Sequence, residues 1–331
     1  MNQSRCDVLD YIQFLIASQK TFTCTEAARC QPVELYKIPS HDSFTRLLQR
    51  QTQDTETVWK EAKAMIGSGG VIVVDDTTLD KPYASKMDLV TWHWSGKHRC
   101  VVKGINLITL LWTDGKKRVP CDCRIYDAPV TGLTKNDRFQ EMLVKARQRG
   151  MNPLYVLFDS WYCSIGNLHL VAKLGWYFLT RLKSNRTVSL KDGKNVSVSS
   201  MEIPKHGRTV YLKEYGTIKV FRTVSKNGDA EYWATNNLSM NAVRREELEK
   251  HGWSVEVYHR GIKQCCGIER SHVRKARSII SHILLSVRAF LRLEAYRIET
   301  GTSWYEAKSA IIRYAIRNYL SRPFCHLGST A

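Results

Sequence analysis

Three carboxylates are placed where chemistry could use them. Asp76 follows the apolar, β-branched run Val71-Ile72-Val73-Val74, and Asp159 follows Leu154-Tyr155-Val156-Leu157-Phe158. Each run reads as a buried strand, and at the C-terminal end of a strand in an open sheet side chains leave the core and reach a cleft. Two such strands side by side bring both carboxylates to one rim. Hard oxygen donors there suit Mg²⁺ or Mn²⁺, and a pair of ions stabilises both the attacking and the leaving oxygen of a displacement at phosphorus. An aspartate after a strand is also a common helix cap or turn former, so the pair needs a third member. Glu256 supplies it. On a helix Trp253, Glu256, Arg260 and Lys263 share one face, grouping an indole, a carboxylate, a guanidinium and an ammonium. Such a face suits either a metal-binding glutamate beside phosphate-gripping cations or a solvated surface with ordinary ion pairs.

The elements that must position these residues are legible in outline. Residues 1–66 read as short helices (7–18, 25–29 and 43–51), a shape common in DNA-reading modules and equally suited to a dimerisation bundle. Gly67-Ser68-Gly69-Gly70 breaks the chain before the first strand. Strands over Ile105–Trp112 and Arg118–Tyr126, joined by a hairpin turn at Thr113–Lys116, come next. An amphipathic helix at 136–149, closed by Gly150, leads to the strand that ends at Asp159; a helix at 165–174 and a strand at 176–182 complete the series. Three strands, helix, strand, helix, strand is an α/β order that allows a central mixed sheet with flanking helices. After Arg181 the composition shifts to Lys, Ser, Thr, Val and Gly, with alternating segments and the turn dipeptides Asp192-Gly193 and Asn227-Gly228, so 184–236 reads as a β-rich insertion. Helices return at 241–251, 253–266, 276–299 and 303–320; the strongly apolar 276–299 is expected to pack on the sheet. The expected division is a helical region at 1–66, a core at 67–183 and 237–300 around the insertion, and a C-terminal helical region at 301–331.

The bulk composition narrows the partners. Across 331 residues, 50 Lys+Arg against 31 Asp+Glu give a formal charge of +19. A surplus spread over the whole chain favours a polyanion, because neutralised phosphates release condensed counterions; a basic protein that is merely soluble is the plainer alternative. The basic residues form neither a tail nor one amphipathic helix, which argues against a membrane surface. No apolar run reaches the roughly 18 residues of a span, and the first residues show no secretory pattern, so a cytoplasmic, nucleoid-associated protein is expected. The ten cysteines include no CxxC and read as reduced, mostly buried thiols, with a zinc site at Cys24 and Cys30 as the alternative.

Together the three carboxylate segments resemble the DDE transposases of bacterial insertion sequences, in particular the cut-and-paste group with a β-strand insertion before the catalytic glutamate. The likeness runs from about residue 70 to 300. Asp75-Asp76-Thr77-Thr78 is similar to the family's first block, in which the carboxylate just before Thr is the ligand, and this selects Asp76. Phe158-Asp159-Ser160-Trp161-Tyr162 is similar to the second block. Trp253-x-x-Glu256, with Lys263 and Gly267-Ile268-Glu269-Arg270 after it, is similar to the third. Where the family carries a Tyr and an Arg ahead of the glutamate, this chain has Glu249 and Gly252, leaving Lys263 to grip a 5′ phosphate, with Arg260 or Lys250 as substitutes. Trp233 resembles a position where related enzymes stack a flipped base, and a buried strand tryptophan is the other reading. Arg181, Lys183 and Arg186 resemble the family's backbone-contacting basic cluster.

The resemblance implies an RNase H-like core, two Mg²⁺ or Mn²⁺ ions on Asp76, Asp159 and Glu256, and a homodimer on double-stranded DNA. That dimer would cleave the terminal inverted repeats and join the freed ends to target DNA. Two rivals stay open: an RNase H-like DNA nuclease without strand transfer, and a non-catalytic DNA-binding protein derived from a transposase. A metal-free enzyme using Cys163 or a histidine has no nucleophile–base spacing to support it.

Overall fold

A computed structural model describes residues 6–32, 38–96, 98–190, 193–224 and 227–323; Asp192 of the expected turn and Cys325 lie outside the described residues. The chain opens with helices α1 (Val8–Ala17), α2 (Cys24–Arg29), α3 (His41–Arg50) and α4 (Glu56–Ala62). Strands β1 (Val71–Asp80), β2 (Thr91–Ser95), β3 (Cys100–Thr113) and β4 (Val119–Tyr126) follow, then a single turn α5 (Ala128–Thr131) and α6 (Lys135–Gln148). Next come β5 (Tyr155–Phe158), α7 (Ile165–Lys173) and β6 (Tyr177–Leu182). The insertion supplies β7 (Thr187–Ser189), β8 (Asn195–Ser197), β9 (Arg208–Leu212), β10 (Gly216–Val224) and β11 (Ala230–Thr235). The chain returns to helix in α8 (Ala242–Gly252), α9 (Ser254–Cys265), α10 (Ala276–Thr300) and α11 (Trp304–Ser321).

The chain divides into two compact units. The larger one, Thr55–Ala84 with Leu89–His259, is built on an eleven-stranded sheet among the described residues. Its core runs β4-β3-β1-β5-β6, with β1 antiparallel to β3, and β5 parallel to both β1 and β6. This mixed sheet with flanking helices is the RNase H-like arrangement that the resemblance implies. Val71–Val74 are all buried, as a strand apolar on both faces must be when partners lie on either side. Gly70 precedes them with φ +74, and a Cβ there would lie 2.7 Å from the Trp112 indole; only glycine fits both demands.

Beyond the unread strand β2, the sheet differs from the sequence reading in two ways. Strand β1 does not end at the aspartates but continues to Asp80, because the long β3 keeps pairing with it, from Asp75↔Thr109 and Asp76↔Ile108 to Asp80↔Gly104. The apolar run stops at Val74 while the backbone ladder continues. The insertion also extends the main sheet: β11 pairs antiparallel with β6, and β10, β9, β7 and β8 follow in order.

One face of the core carries α6, whose Phe139 ring meets Phe158 at 5.1 Å and stacks on Tyr162 at 5.3 Å. On α8, Gly252 lies close enough to Leu157 that a Cβ would already touch it, at 3.5 Å.

The smaller unit, Met1–Asp54 with Ser85–Asp88 and Arg260–Ala331, is built of helices among its described residues. Here α10 buries Ile279, Ile283, Leu284, Val287, Phe290 and Leu291, and its partners within the unit are α1, α3 and α11 where the sequence reading expects the sheet. Lys308 of α11 donates to the carbonyls of Ile16, Ser18 and Cys265 at 2.8, 2.6 and 3.1 Å, using a buried ammonium to satisfy the carbonyls that end α1 and α9. No helix of the described residues is long and apolar enough to cross a membrane. The described cysteines are free thiols, and no group of three metal-ligating side chains forms around Cys24 and Cys30 among the described residues.

A buried ion network joins α4, β4 and α6 in the sheet unit. The Asp122 side chain, 1 % exposed, receives Arg124 at 2.7 Å, Arg149 at 3.1 Å and the Thr55 hydroxyl at 3.0 Å; Arg149 also reaches Glu56 at 3.1 Å. Removing one member of a buried pair leaves the other charge uncompensated. Here Arg124 still compensates Asp122, so Arg149→Met is expected to lower unfolding stability by about 2 kcal/mol in urea titration, whereas Arg138→Met, which removes only a partly exposed pair with Glu141, should change it by less than about 1 kcal/mol.

Candidate active site

Side chains along a strand alternate between its faces, so the neighbours Asp75 and Asp76 cannot face the same way. Asp75 faces a cavity of about 980 Å³, which Asp159 and Glu256 also line, together with Arg245, Trp233 and Trp253. Asp159 enters it from the end of β5, where its Oδ1 accepts from the Trp161 N–H at 2.9 Å and caps the short turn Ser160–Tyr162. The Thr180 hydroxyl of β6 donates to the Asp159 carbonyl at 3.1 Å, tying this turn to the next strand. Glu256 comes from the first turn of α9, with its side chain exposed.

Asp76 is not among the residues lining that cavity. On the α6 side of the sheet its Oδ2 accepts from Asn106 at 2.6 Å and from Lys135 at 2.8 Å, and its Oδ1 accepts from the Tyr162 hydroxyl at 2.9 Å. Of the three expected carboxylates, the structure brings Asp159 and Glu256 to one cavity and gives Asp76 a cationic partner instead. Asp75 occupies the position on the cavity. Strand alternation was the available sequence signal, hidden because the apolar run appeared to end the strand.

The expected DNA contacts divide similarly. Trp233 is 8 % exposed on β11, with Arg181 stacked 4.9 Å above its ring and paired to Glu231 at 3.3 Å. Its Nε1 is buried without a hydrogen-bond partner. Lys183 and Arg186 line a separate cavity beyond β6. Arg260 is exposed and Lys263 pairs with Glu269 at 3.3 Å; both belong to the helical unit. At the positions where the family differs, Glu249 pairs with Arg245 one turn earlier, and Lys250 pairs with Glu246 at 3.0 Å. Arg245 is a cavity cation that the sequence reading missed; its i, i+4 spacing to Glu249 signals the pair but not the cavity.

Burial pushes the Asp75 carboxyl well above the usual carboxylate range, and the nearby Asp76, Glu256 and Asp159 carboxylates push it further. Asp159 is raised by its own burial and by Asp76, against the pull of the Trp161 N–H. Asp76 goes the other way: burial alone would raise it, but Lys135, Asn106 and Tyr162 hold it below the usual value. No three His, Cys, Asp or Glu side chains among the described residues converge tightly enough to ligate an ion as they stand. The donor chemistry fits a divalent cation all the same, since hard oxygens crowded at mutual cost are stabilised by a positive charge between them. Cys163 is a poor nucleophile here, because burial pushes its thiol up to about 11.

A carboxyl whose folded pKa is raised contributes stability below the unfolded value of about 3.9 and loses it as pH rises through the folded value. Asp75→Asn is therefore expected to melt above the wild type at neutral pH in EDTA, the gap closing as pH falls toward 4. Thermal unfolding across pH checks this.

Residues 67–291 match the family described as "Transposase DDE domain". The structure is similar to that of the piggyBac transposase in its synaptic complex with hairpin DNA, with a TM-score of 0.54 over 96 % of this chain and 73 % of that one. The sequences are 9 % identical, so this likeness concerns fold alone. A NurA nuclease from Sulfolobus solfataricus aligns with a TM-score of 0.28 at 11 % identity, covering 86 % of this chain and 95 % of that one, too weak a likeness to carry an argument. No curated protein matches the sequence. With its match spanning most of the chain, from the glycine break before β1 to α10, this protein belongs to the DDE-domain transposase family.

Proposed function

We propose that this transposase cleaves DNA at the inverted-repeat ends of its own element and joins the freed 3′ ends to target DNA, using divalent metal ions held by Asp76, Asp159 and Glu256. The observation that carries this is the convergence of Asp159 and Glu256 on one cavity within the family match, with Asp76 taken as the third ligand from its place before Thr77 in the motif. Mg²⁺ bound there would supply charge stabilisation for the attacking and leaving oxygens. The chain's own part is positioning: Asp159 is fixed by its turn and by Thr180, and Glu256 by its helix. The cations Arg181, Lys183, Arg186, Arg260 and Lys263, with Trp233, are the proposed DNA contacts, and the charge of +19 supports a polyanionic partner. Two copies acting on two element ends are part of the proposal, in line with the DNA-bound synaptic complex of the structurally similar piggyBac transposase.

A second reading concerns the first carboxylate. The cavity geometry favours Asp75 as the ligand, with Asp76 held by Lys135 as the support of the strand. Alanine at Asp159 or Glu256 should abolish Mg²⁺-dependent nicking of DNA carrying the element's own flanks, while gel-shift binding in EDTA stays within about threefold, since such contacts are mostly to phosphates elsewhere. Asp76→Ala and Asp75→Ala, tested side by side, identify the first ligand by which one loses cleavage. Undiminished cleavage in all four variants overturns the proposal. Cleavage without joining of a pre-cut end would leave a nuclease in its place.

A further inference from the structure

The chain has a second cavity, of about 630 Å³, that no part of the cleavage chemistry uses. It adjoins the first along two strands: Asp159 and Arg181 line the carboxylate cavity, and the next residues, Ser160 and Leu182, line this one. Lys183, Arg186 and Lys213 stand around it, and none of them has a carboxylate partner among the described residues. Trp161 forms one wall with 61 % of its surface exposed, and the Lys135 ammonium lies 5.4 Å over its ring. Lys213 is held at the rim by its neighbour. Glu214 adopts φ 65, unusual for a residue with a side chain, and the His169 ring contacts its carbonyl at 2.7 Å.

Unpaired cations around a concave site call for an anion, and an indole left in water calls for a flat apolar face. A nucleotide has both, and a cavity of this size holds one. Bases inside a duplex are stacked on each other and present no face to an indole, so the ligand must be unpaired.

We propose that this cavity binds a nucleotide of an unpaired DNA strand, its base stacked on Trp161 and its phosphate held by Lys183, Arg186 and Lys213, so that the strand passes Asp159 between the two cavities. The inference rests on the DNA-cleaving reading above and adds to it the state of the strand that the site holds.

The test uses the full chain in EDTA, which prevents cleavage, and two probes: a blunt random-sequence duplex and the same duplex with a short single-stranded extension bearing 2-aminopurine. The wild type should prefer the extended probe and change the 2-aminopurine emission. Trp161→Ala should weaken binding of the extended probe about tenfold and leave the blunt probe unchanged, with the melting temperature unmoved because the residue is exposed. Trp161→Phe should keep most of the preference, and Lys213→Glu should lose it. Equal losses on both probes in Trp161→Ala, or no loss on either, overturn the proposal, as does a loss in Trp161→Phe as large as in Trp161→Ala. If the wild type binds neither probe, the DNA-cleaving reading fails and this one with it; binding of both without preference removes this inference alone.

Discussion

The arrangement of the site depends on β1 being hydrogen-bonded to β3 along its whole length and to β5 over Val71–Val74, just ahead of the aspartates. A strand so enclosed cannot rotate about its axis without breaking two ladders, so its pleat fixes which face each residue serves. Val73 and Asp75 share a face with Leu157, and Val74 and Asp76 share the other with Phe158. The adjacent aspartates are thereby assigned to different surroundings, one to an open cavity rich in carboxylates and the other to a lysine, an asparagine and a tyrosine. Neither can exchange roles with the other while the sheet is intact.

The electrostatics follow from that split. A chain with a large positive surplus still gathers several acids around one cavity, where burial and nearby carboxylates disfavour ionisation of Asp75 and Asp159. On the opposite face Lys135 offsets Asp76, so the strand carries one strained and one satisfied carboxylate in succession. The distribution is that of a site prepared for positive charge inside a protein prepared for negative charge.

Much of this was legible from the sequence, for physical reasons that differ by element. β5 and the first half of β1 announce themselves because a strand buried on both faces must be apolar throughout. The helices α6, α8 and α11 carry the caps Thr134, Asn241 and Ser303, and Asp159 is placed by the end of its strand. The polar half of β1 was not legible, since its only support is the partner strand. Nor was β2, whose Trp92 and Trp94 are both exposed and so give no inward-facing pattern. The partners of α10 and the reach of Arg245 are tertiary facts: an apolar stripe says that a helix is covered, not by what. The family's motif selected Asp76 by neighbour identity, whereas the pleat assigns facing by parity, and the two criteria name different residues.

The antiparallel seam between β6 and β11 has a mechanical meaning. Register pairs from Tyr232↔Leu182 to Thr235↔Leu179 join the insertion to the core edge to edge, in place of a flexible tether. A pull on the insertion therefore loads backbone hydrogen bonds in shear, and β6 passes that load to β5 and, through Thr180, to the turn that holds Asp159. The insertion is joined to the core by a strand ladder that a swing over the sheet would have to break.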